Sequence, residues 1–478
     1  MMNYWEVALM SKNIFPPKTA IITFGDSRDR VYKRRYTIVV DQLEKISSSL
    51  KGKVEVTLSE SIRQIEDIPR VLGMSQLQEA ESVILHIPTW VLPNVVVMTA
   101  NQIKRPLLVI TNELRDSAGM VGMLASAGSL DQVGLFHRRL FGDGSNPKIA
   151  QGLITFCRAA SAVARLKGKT YGLIGGRSLG MYSAIADPAQ WQRQFGVDIE
   201  HIDQLEIVKR AEAMSEERVQ KHLNWLETNV GLIEYDDKQR FTPSHLKKQV
   251  SCYLAAKELI AEKNLDFVGL KCQTELSDGY VLQCISAALI NDPYDADGPK
   301  KPTPLACEAD CDGALTMMII HLLTQGQPTA LMDVKLFDKN PPLFAFANCG
   351  GMATWFSANS DKPEENLANV HLRPHIYGEA GGGATQYVAA PGEVTLARLC
   401  RKNGKYWMAI FKGEAVKRER EDLREVVWPW AYMFISTKIN IDDFLNTFGS
   451  NHMHVAKGNL VDELVQICNL LDIEAKVY

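Results

Sequence analysis

Short apolar runs alternate with amphipathic stretches through the first two thirds of the chain, and no other feature narrows the fold as much. TAIITFG (19–25), KVEVTLS (53–59), SVILHIP (82–88) and PLLVITN (106–112) read as buried strands. Helix-like sequence separates them, starting with RRYTIVVDQLEKISSSLKG. Strands interleaved with helices predict βαβ units, because a parallel return needs a crossover long enough to hold a helix. Residues 146–167 form a long amphipathic stretch that stops at Gly168, and KTYGLIGG (169–176) opens a second alternating unit. In that unit, helical spacing is expected over 204–225, 243–263, 278–291 and 312–326. FVGLKC (267–272), PTPLACEAD (302–310) and PTALMDVKLF (328–337) read as strands. Beyond about residue 340 the chain becomes strand-rich, and KNGK (402–405) suits a tight hairpin turn. The expectation is an α/β protein with two parallel-sheet domains, 1–168 and 169–326, followed by a β-rich domain, 327–478.

Composition removes several classes of partner. The chain has 478 residues, 46% hydrophobic and 23% charged, which is ordinary for a folded protein of about three domains. Lys+Arg total 53 against Asp+Glu 56, so no basic excess marks a nucleic-acid or anionic membrane surface. The most apolar stretch, 83–100, is broken by His86, Pro88, Pro93 and Asn94 and does not read as a membrane span. Nine scattered cysteines, with no CxxC pair, read as reduced thiols in a cytoplasmic protein. The N-terminal residues show no leader pattern. A small molecule or another copy of the chain is the expected partner.

Three constellations carry chemistry. GRSLG (176–180) matches the G-x-S-x-G nucleophile elbow, with Ser178 as nucleophile and Asp333 and His452 following in hydrolase order. Its competing reading is a glycine-rich turn, and bulky Arg177 sits awkwardly in an elbow. The second is the acidic segment ACEADCD. Its apolar continuation rules out an EF-hand, and Asp310 or Asp312 can cap the helix that follows. Capping does not explain Glu308 at the carboxyl end of a strand, where α/β folds place ligand groups. Asp333 is flanked by Leu331, Met332 and Val334, a costly place for a carboxylate without a partner. Lys335 is expected to splay away from it. The third is SNHMH (450–454), where His452 and His454 share a face if extended and Asn451 adds a polar group. Glu308, Asp333 and one of these histidines form a donor set for a hard or borderline divalent ion such as Mn²⁺. Two carboxylates beside such an ion can move a proton between adjacent sugar carbons through an enediol.

At these residues the chain resembles the L-fucose isomerase family and its L-arabinose isomerase relatives. The family's strand-end glutamate, A-D-V aspartate and N-H histidine fall on Glu308, Asp333 and His452. Further matches are ARLKGKTYGLIGGRSLGMYSA (164–184), LKCQT (270–274), FANCGG (346–351), GEAGGGATQY (378–387) and VVWPWAY (426–432). They run in family order and reassign Ser178 to a family loop.

The resemblance implies two Rossmann-like domains and a barrel-like third, assembled as a homohexamer with sites at subunit interfaces. It implies an aldose–ketose isomerase acting on an open-chain sugar such as L-fucose or D-arabinose. Glu308 and Asp333 would be catalytic, and both would bind Mn²⁺, Mg²⁺ or Co²⁺ together with His452. Gln273, Cys349, Trp430, Asn451 and His454 would line the sugar site. Arg28 and Trp90 are candidates for a cover supplied by a neighbouring chain. Cys349 stands where the family often has serine, and Ala384 where an aromatic is expected, so the sugar's identity stays open. Arg177 and the basic segment SRDRVYKRR (27–35) would suit an anionic sugar such as sulfoquinovose. A non-catalytic sugar-binding protein is a more distant alternative.

Overall fold

A computed structural model describes residues 15–236 and 240–478. The N-terminal segment read above for a leader lies almost wholly outside the described residues. The chain divides into two compact units, one of residues 15–164 and one running from Arg165 to the C-terminus.

The first unit holds five strands, β1 (Lys18–Phe24), β2 (Glu55–Ile62), β3 (Ser82–His86), β4 (Leu107–Thr111) and β5 (Arg138–Phe141). All pair in parallel in the order β2-β1-β3-β4-β5. β3 and β4 are buried along their whole length, as expected of strands covered on both faces. The helix Asp29–Leu50 buries Val39, Gln42, Ile46 and Leu50, one stripe at helical spacing. Strand order reverses between β1 and β3, and a crevice for ligands opens at the carboxyl ends of strands at such a point. The loops leaving β1 and β3 carry Arg28 and Trp90.

The second unit continues with β6 (Thr170–Ile174), β7 (Asp198–Ile202), β8 (Leu232–Ile233), β9 (Phe267–Leu270), β10 (Tyr294–Asp295), β11 (Gly298–Pro299) and β12 (Leu305–Cys307). Of these, β12-β9-β6-β7 form a second parallel sheet. The predicted helix over 278–291 is two short helices, Glu275–Gly279 and Cys284–Asn291. The helical stretch over 204–225 likewise divides, into Leu205–Glu212 and Glu216–Asn229.

The remaining strands are β13 (Ala330–Lys339), β14 (Pro342–Asn348), β15 (His371–Pro374), β16 (Gly383–Gln386), β17 (Gly392–Lys402), β18 (Lys405–Ala415), β19 (Ala431–Ser436), β20 (His452–Lys457) and β21 (Glu474–Val477). β17-β20-β13-β14-β19-β18 form one sheet, and pairing of β18 with β17 closes it into a six-stranded ring. β21 adds to β18 in parallel. Asn403 and Gly404, both with positive φ, make the turn at KNGK, and Lys402 pairs with Lys405. Met332, Phe344, Phe346, Phe411, Met433 and Met453 belong to the large apolar core of this unit.

Candidate metal and proton-transfer site

Sheet register brings the distant acidic and histidine residues together. In the antiparallel pair β13–β20, Asp333 lies directly opposite His452, and Met332 opposite Met453. Side chains alternate between faces, so Asp333 and His452 share one face while the two methionines enter the core from the other. Glu308 arrives from the carboxyl end of β12. It and Ala309 both hold positive φ, +60° and +51°, a conformation costing roughly 1–3 kcal/mol for each such residue. Strain of that size is retained where neighbouring packing enforces it, and here it directs a carboxylate at a histidine.

The imidazole of His452 organises the site. Its Nε2 lies 3.5 Å from Glu308 Oε2 and 3.5 Å from Asp333 Oδ1. Its Nδ1 lies 2.7 Å from Asp310 Oδ2. A carboxylate only accepts, so Nδ1 carries the proton and donates to Asp310. Nε2 is then the nitrogen presented to the two carboxylates. The ring is 1% exposed. Burial opposes its charge, yet Asp310 and Glu308 overcome that and raise its pKa to about 9.

Asp310 is the foundation of this arrangement. As predicted, it caps the helix Cys311–Leu323, accepting from the Gly313 N–H at 3.0 Å. It also receives both Arg398 guanidinium nitrogens, at 2.6 and 2.9 Å. Burial alone would raise its pKa, but Arg398 and His452 hold it well below the ordinary carboxylate range. Gly313 is required for this close packing. A Cβ there would stand 2.7 Å from Arg398 Nη1, 2.7 Å from His454 Nε2 and 2.9 Å from the Asp310 carboxyl carbon.

Other predicted residues fall in several places. Asn451 donates to Asp333 Oδ1 at 3.4 Å. Trp430 is buried, and Lys335 Nζ stands 4.7 Å from its ring centre. Lys335 does not splay from Asp333, for its Nζ lies 3.3 Å from Asp333 Oδ2. Cys349 follows β14, two residues beyond the cross-strand partner of Asp333. A hydrogen bond to Cys307, together with burial, pushes its thiol well above the usual range. All nine cysteines are free. Gln273 leaves β9 at the edge where Glu308 leaves its neighbour β12.

His454 sits one step along β20, opposite Leu331, with neither ring nitrogen hydrogen-bonded. Burial and the nearby Arg398 charge keep its pKa well below the ordinary value. The histidine contacts to Glu308 and Asp333 come from His452.

Ser178 is buried and donates to the Gln273 carbonyl at 3.3 Å. The segment after it is a turn and a short 3₁₀ stretch (Tyr182–Ala184), so the strand–turn–helix setting of a nucleophile elbow is missing. Arg177 is exposed, and its guanidinium lies 5.6 Å from the ring centre of Tyr182. In the first unit, Arg28 pairs with Asp26 through two contacts, at 2.9 and 2.7 Å. The sequence reading did not single out Arg398, and it set Lys335 aside as a partner of Asp333. The signal for Arg398 was a lone arginine inside the apolar run VTLARLC.

The donor chemistry at His452 fits a divalent cation. It offers a neutral-capable imidazole nitrogen, two carboxylates and a third, buried carboxylate, Asp310, that fixes the ring's orientation. Among the described residues it is His222, Asp295 and Asp297, not the His452 set, whose ligand atoms all lie within 4.8 Å of one another. There, however, Lys257 already bridges both aspartates at 2.6 and 2.8 Å, and Lys221 pairs with Asp297 at 2.7 Å.

Residues 16–168 match the family model for the L-fucose isomerase first N-terminal domain, and residues 346–478 that for its C-terminal domain. A sulfoquinovose isomerase from Alkalicoccus urumqiensis is 25% identical over 280 residues, covering 58% of this chain and 58% of that protein. L-fucose isomerases from Citrobacter koseri and Salmonella arizonae are each 26% identical over 212 residues, covering 40% of this chain and 36% of theirs. The matched stretches thus span less than two thirds of these relatives. Both domain models point the same way, and the chain belongs to the L-fucose isomerase family.

Proposed function

We propose that this chain is a metal-dependent aldose–ketose isomerase acting on an open-chain sugar through an enediol. The observation that carries the reading is His452, whose Nε2 faces Glu308 and Asp333 at 3.5 Å each while Nδ1 is fixed by Asp310. Glu308, Asp333 and His452 would hold the ion, with Mn²⁺ the best match to two oxygens and one nitrogen and Mg²⁺ or Co²⁺ as alternatives. Such an ion supplies Lewis-acid polarisation of a carbonyl and its neighbouring hydroxyl.

The chain's own groups do the rest. One carboxylate of the Glu308–Asp333 pair takes the C2 proton, and the other delivers a proton at C1. Asn451 restrains the Asp333 carboxylate, and Asp310 keeps His452 in one tautomer. Gln273, Cys349, Trp430 and His454 line or support the sugar site. In this reading the protein is cytoplasmic and homohexameric, and Arg28 and Trp90 of a neighbouring copy help exclude water. Half-exposed Met120, Val121, Leu124, Val133 and Phe136 give the first unit an apolar surface suited to association. An anionic sugar such as sulfoquinovose is the second reading. It is favoured by the longer match to the Alkalicoccus protein, 58% of this chain against 40% for the two L-fucose isomerases.

The test strips metal from the protein, restores Mn²⁺ and assays Glu308→Gln and Asp333→Asn alongside the metal content of His452→Ala and His454→Ala. Both carboxylate variants should be inactive, and His452→Ala alone should lose the ion. Wild-type turnover by either folded carboxylate variant would overturn the assignment.

A further inference from the structure

Lys335 lies two residues beyond Asp333 on β13. In a regular strand two such side chains share a face but start roughly 6.7 Å apart. The strand is not regular here. Val334 pairs with Phe346 and Leu336 with Ala345, so Lys335 has no partner of its own on β14. This is a β-bulge, a device that re-aims a side chain and is frequent beside active sites. Its effect is to place Lys335 Nζ 3.3 Å from Asp333 Oδ2 and 4.7 Å from the ring centre of Trp430. The indole is 1% exposed and packs against the rings of His375 and Tyr377, at 6.0 and 5.6 Å, so the platform beneath the ammonium is fixed. The lysine side chain is 32% exposed, which leaves an open side for a ligand. A half-exposed ion pair adds little stability, whereas ordering a lysine loses rotamer freedom. The bulge is therefore poorly explained as a stabilising feature.

The charges lead to the same place. Asp310 is matched by Arg398. A divalent cation would be matched by Glu308 and Asp333. Lys335 is then the unmatched positive charge, and it stands against the carboxylate that exchanges protons with the sugar.

We propose that the ammonium of Lys335 binds the oxyanion that forms on the sugar during proton transfer. This rests on the isomerase reading and adds to it a third charged group contacting the substrate. When a carboxylate takes the C2 proton, the C2–H electron pair becomes the C1–C2 double bond. The carbonyl π pair moves onto O1, which becomes the oxyanion. Return of a proton to C1 and transfer of the O2 proton to O1 complete the ketose, with no net oxidation. A fixed cation at that oxygen lowers the barrier without strengthening binding of the neutral substrate.

The test compares wild type, Lys335→Gln and Lys335→Arg at equal metal content. Turnover is measured on the sugar accepted by wild type. Calorimetry measures binding of D-threonohydroxamate, a planar oxyanion mimic, and of neutral D-threitol. Lys335→Gln should lower kcat roughly 10²-fold with little change in KM, and should weaken the hydroxamate far more than the alditol. Lys335→Arg should restore part of both effects. Wild-type kcat in Lys335→Gln, or equal weakening of the two probes, would overturn the proposal. If wild type turned over no aldose and bound neither probe, the isomerase reading would fail first and take this proposal with it.

Discussion

Replacing Asp310 with asparagine isolates what the buried carboxylate does for His452. Asp310 accepts four hydrogen bonds, two from Arg398 at 2.6 and 2.9 Å, one from His452 at 2.7 Å and one from Gly313 at 3.0 Å. Asparagine keeps one accepting oxygen and remains a good helix cap, so the Gly313 contact can survive. Its amide NH₂ would face donors on Arg398 or His452, and the Arg398 charge, 1% exposed, would lose its counter-ion. Removing one partner of a buried ion pair costs about 3–5 kcal/mol. Losing the carboxylate that orients a metal-binding histidine costs roughly 10–100-fold in metal affinity. The assay is Mn²⁺ titration by calorimetry, with thermal melts and circular dichroism on the same samples. Asp312→Asn is the control, because Asp312 is equally buried and pairs with Arg401 at 2.8 Å and Tyr406 at 3.0 Å but does not touch His452. Asp312→Asn should lower the melting temperature and leave Mn²⁺ affinity intact. A folded Asp310→Asn protein with wild-type affinity, or an equal affinity loss in both variants, would show that Asp310 does not orient His452 for metal.

Other consequences follow from the same geometry. Gly313→Ala forces a Cβ to within 2.7 Å of Arg398 and His454, and should cost about 1–3 kcal/mol in a thermal or urea melt, together with weaker Mn²⁺ binding. His452 in the metal-free protein has a pKa raised to about 9. Because the folded value exceeds the unfolded value of about 6.5, its stabilisation is complete below that pH and lost as pH rises through 9. Metal-free melts from pH 6 to 10 should show this loss. Mn²⁺ affinity should rise over the same range as the proton leaves, and affinity falling with pH would contradict the ligand assignment. Ser178→Ala should retain the activity of the metal-loaded enzyme, and wild type should not react with a fluorophosphonate probe.

The three ligand candidates were legible because each broke a local pattern. Glu308 stood at a strand end, Asp333 inside an apolar strand and His452 in a polar cluster near the C-terminus. Asp310 was half legible, since its spacing announces a helix cap but not the histidine 142 residues away that it orients. Arg398 was hidden for the same reason, its partner lying 88 residues upstream. The expectation for Lys335 failed because a bulge is a property of two paired strands, and the sequence of one strand does not contain it. His452 and His454 could not be ranked from a shared face alone. Pairing register separates them in space, setting His452 opposite Asp333 and His454 opposite Leu331.

If Glu308 and Asp333 move the C2 proton of an aldose, proton NMR in D₂O with Mn²⁺ measures that event itself. The panel should contain L-fucose, D-arabinose, L-arabinose and sulfoquinovose. Deuterium should enter C2 of one of these sugars as its ketose appears, with no exchange by Glu308→Gln or Asp333→Asn. Wild-type exchange by either folded variant, or no exchange of any aldose by the metal-loaded wild type, would contradict this assignment.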